Sequence, residues 1–260
     1  MTIHKIQHPI MNDCRVTFGF FTRSGGVSSK PFNTLNCSFN VGDDVKNVRK
    51  NLKIVKNELG LNCIVGLNQI HSSKVFILEN EDNNNTYKKA DGIVTNLRGI
   101  GLSILGADCA PILFYDNICN IIGACHAGWR GAIKNIIEST ITKMENIGSD
   151  RKNIRAIIGP TIQKKNYLIR EDVATQVRQS LFYKKNKSIL FSKNKNEYYF
   201  DLPLLLKVNL ECSNINKFSD LNIDTYSNPD LFFSHRRCTH LAFNDVVKTG
   251  RHISVIGIIK

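Results

Sequence analysis

In the central part of the sequence, residues 101–147, short apolar runs are followed by apolar residues at helical spacing. Three runs separated by turn-forming residues predict strands, at 101–105, 112–115 and 118–124. Asp116 and Asn117, between the last two runs, predict a tight hairpin. From Ala132 onward, apolar residues recur at the spacing of an amphipathic helix, and Gly148 lies where a helix C-cap glycine is expected. This succession of strands and a helix indicates an α/β fold.

The rest of the chain gives similar signals, without an internal repeat or a linker. Further strands are predicted at 14–21, 74–78, 155–158, 231–234 and 252–258. Further helices are predicted at 44–60, 171–183 and 201–211, and the Asn-rich stretch 80–87 is expected to be a loop. The most economical interpretation is therefore one α/β domain that covers residues 1–260.

Composition narrows the class of protein. Hydrophobic residues make up 42% of the chain, which is typical of a globular protein. The apolar runs are too short for a membrane span and the first residues do not resemble a secretion signal, so we expect a cytoplasmic protein. The net charge is +13, but the basic runs 184–187 and 193–196 lack interleaved aromatics and indicate solvated loops, not a dedicated nucleic-acid surface.

The eight cysteines are scattered and form no CxxC pair. In a chain of this length without a signal sequence, we expect free thiols and no disulfide framework. A closed zinc site built from four cysteines is not expected either.

Three residues at the ends of predicted strands carry metal-ligating chemistry: His71, Cys109 and His126. Two imidazoles and one thiolate leave one tetrahedral position open, which is the arrangement of a catalytic zinc. Alternatives remain for each residue: a strand-end histidine can be structural, Cys109 can be a small buried hydrophobe, and Cys109 with His126 can act as nucleophile and base without a metal. Asp108, beside Cys109, can orient a histidine or cap a turn.

Two segments are candidates for binding an anion. Gly128 and Arg130 open the predicted helix, where unpaired backbone N–H groups and an arginine fork favour phosphate. Arg23, with the glycines at 25–26, is a second candidate. The alternatives are a tight strand-to-helix turn at Gly128 and a surface position for Arg23.

These segments resemble the multicopper polyphenol oxidase, or laccase-domain, family, whose members are read as purine nucleoside phosphorylases. The most specific match is the hexapeptide His-Ala-Gly-Trp-Arg-Gly at 126–131. The other matching segments are 22–28, 35–36, 41–44, 69–71, 90–92, 106–109, 122–125, 158–160, 200–202, 232–237 and 249–251. The resemblance thus extends over nearly the whole chain.

The resemblance implies a layered α/β sandwich with mixed sheets flanked by helices, related to cysteine-hydrolase-like toxins. It implies zinc at His71, Cys109 and His126, and phosphorolysis of adenosine, inosine, guanosine and methylthioadenosine, with adenosine deamination as a further activity. We assign catalytic roles to Cys109, His126 and Asp108, and phosphate binding to Arg23, Arg130 and Gly128. Purine nucleosides and inorganic phosphate are the expected partners, and the oligomeric state is left open.

Other functions stay open. Copper-dependent phenol oxidation would need more histidines than the seven present, which form no His-x-His pair. A metal-free cysteine hydrolase is a second alternative. The chain departs from the family pattern at 51–52, 166–169 and 224–225 and at a predicted insertion at 238–247, so nucleoside binding without turnover is a third.

Overall fold

The computed structural model describes residues 3–80, 88–242 and 248–260. The strands in these ranges are β1 (Lys5–Ile6), β2 (Val16–Phe21), β3 (Cys63–Val65), β4 (Val75–Ile77), β5 (Gly92–Thr95), β6 (Ile100–Gly106), β7 (Ala110–Asp116), β8 (Ile121–Ala127), β9 (Ile154–Ile158), β10 (Leu168–Arg170), β11 (Leu190–Ser192), β12 (Glu197–Phe200), β13 (Lys217–Asp220) and β14 (His252–Ile258). The α-helices are α1 (Val45–Glu58), α2 (Trp129–Ile133), α3 (Ile136–Asn146), α4 (Glu171–Gln179), α5 (Leu181–Lys185), α6 (Leu202–Cys212) and α7 (His235–Leu241).

The strands form two large mixed sheets and one small sheet. The six-stranded sheet has the order β13-β9-β7-β8-β5-β4, and the five-stranded sheet has the order β1-β2-β14-β6-β3. The small sheet has the order β10-β12-β11. In the six-stranded sheet β7 and β8 are antiparallel whereas β4 and β5 are parallel, and in the five-stranded sheet β3 runs parallel to β6.

The two large sheets pack against each other, and helices cover their outer faces. Leu113 and Tyr115 of β7 lie in the core shared with the five-stranded sheet, whereas Ile112 and Phe114 lie in the core formed with α3 and α6. On the far side of the five-stranded sheet, Val55 of α1 joins a third core. The predicted layered α/β sandwich with mixed sheets flanked by helices is therefore confirmed.

Burial on both faces explains why the central strands were readable from sequence. Every residue of β7 and β8 is buried. A strand buried on both faces appears as a continuous apolar run without polar alternation. The predictions at 14–21, 74–78, 101–105, 155–158 and 252–258 also fall on strands.

Two predicted helices are broken in the structure. The helix expected from Ala132 is divided into α2 and α3 by Asn135, which has φ 61° and caps α3 by accepting the N–H of Glu138. The helix expected at 171–183 is divided into α4 and α5 by Ser180, whose hydroxyl caps α5. Each break comes from a side chain that competes locally with the helical hydrogen bonds, which apolar periodicity does not reveal.

Three turn and strand predictions were wrong. The hairpin is not tight: β8 begins at Ile121, and Ile118, predicted as a strand residue, is 67% exposed in the turn. Residues 231–234 form no strand, and the carbonyl of Phe232 instead accepts a hydrogen bond from Arg237. In addition, β13, which pairs with β9 in parallel, was missed.

Two predictions fall partly outside the described residues. Residues 81–87 of the expected loop and residues 243–247 of the expected insertion are not described. Among the described helices, none is long and apolar enough to cross a membrane.

Candidate metal centre

The three predicted ligand residues lie together where the chain passes between the two large sheets. His71 is in the connection from β3 to β4, and Cys109 is in the connection from β6 to β7, and both connections run from the five-stranded to the six-stranded sheet. His126 belongs to β8 itself, not to the segment after it, and it pairs with Pro111 in the ladder. The two ring nitrogens and the sulfur that these residues offer lie within 4.8 Å of one another.

Asp91 received no role from the sequence, where it was noticed only as part of the matching segment 90–92. It directly precedes β5 and is fully buried, and its Oδ1 lies 2.9 Å from Nδ1 of His126. Because an ionised carboxylate only accepts hydrogen bonds, this contact assigns the proton to Nδ1. In the neutral imidazole, the Nε2 lone pair of His126 is then available to a metal, as in carboxylate–histidine–metal arrangements.

The same carboxylate shapes the loop that carries His71. It accepts the backbone N–H groups of Ile70, His71 and Ser72, and also the hydroxyl of Ser72. His71 has φ 57°, a left-handed conformation that costs about 1 kcal/mol or more for a residue other than glycine. Together, the four hydrogen bonds to Asp91 hold the loop in this conformation.

The side-chain amide of Gln69 fixes the residue that precedes this loop. The side chain of Gln69 donates to the carbonyl of Leu105 and accepts its N–H. Leu105 belongs to β6, which leads directly into the segment that carries Cys109. The loops that carry His71 and Cys109 are therefore tied to each other.

The two imidazoles have opposite pKa shifts. Burial alone would lower the pKa of His126, but Cys109 and the Asp91 carboxylate outweigh it and raise the pKa to about 9. Desolvation of its ring and the nearby His126 lower the pKa of His71. For Asp91, burial opposes ionisation, but the hydrogen bonds from His126 and Ser72 lower the pKa to about 2. The site thus favours an ionised carboxylate behind His126.

Gly128 is pressed against two of the candidate ligands. A Cβ at this position would lie 2.8 Å from Nδ1 of His71 and 2.9 Å from Sγ of Cys109. Contacts this short are not found for real Cβ atoms, so only glycine fits while both side chains keep their positions. Gly128 also precedes α2. That helix has only five residues, so its start alone does not make an anion-binding site.

The two arginines predicted to bind phosphate are not among the described residues that line the cleft beside the site. Arg23 donates to the carbonyls of Asn33 and Pro229 and to Oδ1 of Asn33, and its guanidinium lies 4.5 Å from the ring centroid of Phe233. Arg130 is exposed, and its guanidinium stacks 4.4 Å from the ring centroid of Trp129. Their assignment to phosphate stays a prediction.

Asp108 is buried next to Cys109, but its carboxylate faces the C-terminal segment. Oδ1 accepts the hydroxyl of Thr225 at 2.7 Å, and Oδ2 accepts the backbone N–H of Arg236 at 2.6 Å. Asp108 therefore ties the Cys109 loop to the C-terminal part of the chain, and the carboxylate that contacts a histidine is Asp91.

A cleft of about 320 Å³ opens onto the three candidate ligands. Its other described lining residues include Asn40, Asn68, His235 and Arg251. His235 lies at the start of α7, and it both lines the cleft and is exposed to solvent. A cavity of this volume is at the lower end of the range typical of small-molecule sites.

Comparisons with known proteins place the chain in a family and match its fold to a solved structure. Residues 17–259 match the model of a family described as multi-copper polyphenol oxidoreductase laccase. The chain is 33% identical to purine nucleoside phosphorylase YlmD of Bacillus subtilis, over 95% of this chain and 90% of that protein. It is 31% identical to purine nucleoside phosphorylase RP494 of Rickettsia prowazekii, over 87% of this chain and 90% of that protein.

A solved structure shares the fold over almost its whole length. The crystal structure of Neisseria meningitidis protein NMB0706 superposes with a TM-score of 0.86 at 27% sequence identity, covering 99% of each chain. The layered arrangement of mixed sheets and flanking helices is therefore that of a solved protein.

Proposed function

The chain belongs to the multi-copper polyphenol oxidoreductase laccase family, and from this premise we propose that it is a zinc-dependent purine nucleoside phosphorylase with adenosine deaminase activity. The observation that carries the proposal is the cluster of His71, Cys109 and His126, with ligand atoms within 4.8 Å of one another at the cleft. The relatives named purine nucleoside phosphorylase supply the reaction class. The proposed substrates are adenosine, inosine, guanosine and methylthioadenosine.

The donor set fits zinc. Two imidazoles and one thiol suit zinc in a catalytic site, where a fourth position stays open to solvent or substrate. The Asp91 carboxylate behind His126 is the kind of outer contact that such ligands have in metal sites. A zinc ion held there would supply a Lewis acid beside the cleft.

The chain's own residues hold and orient the substrates. In phosphorolysis the bond between the purine nitrogen and ribose C1′ breaks, and a phosphate oxygen forms the new bond to C1′, giving the free base and ribose-1-phosphate. Asn40 and Asn68 line the cleft and are suited to bind the polar groups of a nucleoside. Asp108 acts as a positioning residue, since its hydrogen bonds to Thr225 and Arg236 fix the loop that carries Cys109.

The cellular compartment and the domain organisation are also part of the proposal. Cys37, Cys109 and Cys125 are free thiols, two of them buried, which supports a reducing compartment such as the cytoplasm. The family match from residue 17 to residue 259 supports a single domain that covers the chain.

The direct test is a product assay. Purified protein is incubated with inosine and inorganic phosphate, and hypoxanthine and ribose-1-phosphate are quantified. We expect both products in equal amounts, and their loss in a His126→Ala variant. The matched control is His240→Ala, because His240 is exposed and contacts Tyr226 away from the cleft. Equal turnover by the His126→Ala variant would count decisively against the proposal.

Deamination needs its own assay. Adenosine is supplied without phosphate, and inosine and ammonia are measured. Formation of both products by the wild-type protein, but not by the His126→Ala variant, is the expected result. Phosphorolysis without any ammonia release would remove deamination from the proposal and leave phosphorolysis intact.

A second candidate, a metal-free cysteine hydrolase, is favoured by one observation. Cys109, His126 and Asp91 form a succession of thiol, imidazole and carboxylate, which resembles a nucleophile, its base and an orienting group. A chelator and a thiol alkylator discriminate between the two functions. The zinc enzyme loses activity with either reagent, whereas the hydrolase loses activity only with the alkylator. Copper-dependent phenol oxidation is tested by elemental analysis, which we expect to give zinc without copper.

A further inference from the structure

Arg251 is a cation on the wall of the cleft. It directly precedes β14 and lines the same cleft as His71, Cys109 and His126. The described lining residues of the cleft include no aspartate or glutamate. In residues 3–80, 88–242 and 248–260, neither Nε nor Nη2 of Arg251 has a hydrogen-bond or ion-pair partner, and only Nη1 is engaged.

The negative charges that act on Arg251 already have other roles. Cys109, which acts on Arg251 more strongly than Asp108, is a candidate metal ligand, and both oxygens of Asp108 accept hydrogen bonds, from Thr225 and from the N–H of Arg236. Burial lowers the pKa of Arg251, which indicates that its charge is only partly compensated. A half-buried guanidinium without an ion pair is costly unless a ligand supplies the anion.

The arginine is also held rigidly. Its Nη1 donates to the carbonyls of Thr249 and Gly250 at 2.9 and 3.0 Å. Its backbone N–H donates to Oδ1 of the buried Asn36, and its carbonyl accepts the N–H of Cys37. A guanidinium fixed at one nitrogen, with two others unpaired, presents a pre-oriented fork of the type that binds phosphate.

The backbone before Arg251 leaves little freedom for another arrangement. A Cβ at Gly250 would lie 2.6 Å from the ring of Phe233, and the same ring carries the guanidinium of Arg23. Arg23 therefore acts behind this wall, by supporting Phe233. Arg251 therefore faces the cleft, whereas Arg23, the candidate from the sequence, lies behind Phe233.

We propose that Arg251, with His235 beside it, forms the phosphate subsite of the cleft and binds inorganic phosphate as an anion next to the candidate metal ligands. This inference rests on the proposed phosphorolysis, and it assigns the second substrate, inorganic phosphate, to the part of the cleft beside Arg251. Arg251 supplies the charge, and the imidazole of His235 supplies one further donor. Neither Arg23 nor Arg130 is then needed to hold the phosphate.

The experiment replaces Arg251 and measures the two substrates separately. Arg251→Met removes the charge and Arg251→Lys keeps it without the fork. The matched control is Arg98→Met, because Arg98 is exposed and forms an isolated bridge to Ile258, at the far end of β14. We expect Arg251→Met to raise the KM for phosphate at least about tenfold, as for loss of a charge-assisted hydrogen bond, with the KM for inosine changed less than about twofold. Arg251→Lys should give an intermediate value.

Direct titration with inorganic phosphate separates this inference from the proposed function. Phosphate binding is measured by calorimetry on the wild-type protein and on the Arg251→Met, Arg251→Lys and Arg98→Met variants, together with their zinc contents. If the wild-type protein cleaves no nucleoside but binds phosphate through Arg251, phosphorolysis fails and the anion subsite stands. Unchanged phosphate affinity in both Arg251 variants, or loss of zinc from them at unchanged phosphate affinity, would overturn the subsite.

Discussion

The two ends of β8 use the same device for different purposes. At the amino end, buried Asp116 accepts the backbone N–H groups of Ile118, Cys119 and Asp150 and the hydroxyl of Ser149. At the carboxyl end, buried Asp91 likewise accepts three backbone N–H groups and one serine hydroxyl, but it also contacts the imidazole of His126. Asp116 thus anchors only a turn and a loop, whereas the added contact with His126 makes Asp91 also a support for a candidate metal ligand.

The two ends also differ in strain. The Asp116 end has positive φ at Asn120 and at Gly148, two residue types that tolerate this conformation. The Asp91 end has positive φ at His71 and at the neighbouring Asp108, and Gly128 is pressed against two side chains. Strained backbone that the surroundings hold in place is typical of functional sites. The comparison therefore predicts that substitutions at one end affect metal binding, and that those at the other end affect only stability.

The largest effect is expected for Gly128→Ala. The new methyl group cannot coexist with His71 and Cys109 in their present positions, so we expect zinc affinity to fall by more than about 100-fold, beyond the usual loss of an outer contact. The matched variant is Gly148→Ala at the other end. Its Cβ meets nothing within 4 Å, but its φ is 105°, so it should cost about 1 kcal/mol of stability and no zinc. Zinc content and urea unfolding measure both effects, and a Gly128→Ala protein with full zinc would contradict the geometry.

Asp91→Asn is expected to have the next largest effect. An amide NH₂ placed against Nδ1 of His126 reverses the hydrogen bond and favours the tautomer that carries its proton on Nε2. We expect zinc affinity and nucleoside turnover to fall roughly 10–100-fold. Competition with a chelator of known affinity measures the zinc constant. Affinity equal to that of the wild-type protein would show that Asp91 does not orient the ligand.

Asp116→Asn sharpens the comparison from the other end of the strand. The amide cannot accept all the hydrogen bonds that the carboxylate accepts, so we expect a loss of about 1–3 kcal/mol in the free energy of unfolding. Zinc affinity should stay within twofold of the wild-type value. Urea denaturation and the same chelator competition give the two quantities, and a parallel loss of zinc would show that the two ends are not independent.

The smallest expected effect is the pH dependence of that loss. Burial would raise the pKa of Asp116, but the Ser149 hydroxyl and the backbone N–H groups outweigh it and lower the pKa below its usual 3.8. A lowered pKa in the folded state means that the carboxylate stabilises the protein above pH 3.8 and loses this contribution as the pH falls below that value. The difference in unfolding free energy between the wild-type and Asp116→Asn proteins should therefore be constant from pH 7 to about 5 and shrink below about 4. A difference that grew on acidification would have the wrong sign.

Sequence alone located the candidate ligands but not their support. His71, Cys109 and His126 stood out because imidazoles and thiols at strand ends are chemically distinctive. Asp91 gave no such signal, since its contact with His126 depends on the pairing of Gly92 with Cys125 between β5 and β8. Arg251 was likewise noticed only as part of a matching segment.

The fold shows the same division. The doubly buried strands β7 and β8 were predicted because burial on both faces leaves a continuous apolar run. The helix breaks at Asn135 and Ser180 were missed, because a single side chain ended each helix within an unbroken apolar pattern. Short strands such as β13 acquire their identity only from pairing with a distant strand.

The most direct test is the zinc stoichiometry of two cysteine variants. Cys109 and Cys119 lie at opposite ends of the β7–β8 pair, and only Cys109 belongs to the candidate metal cluster. Elemental analysis of the purified proteins should give one zinc per chain in the wild-type and Cys119→Ser proteins, and none in Cys109→Ser. Zinc that persists in Cys109→Ser, or a wild-type protein without zinc, would contradict the assignment of the metal to His71, Cys109 and His126.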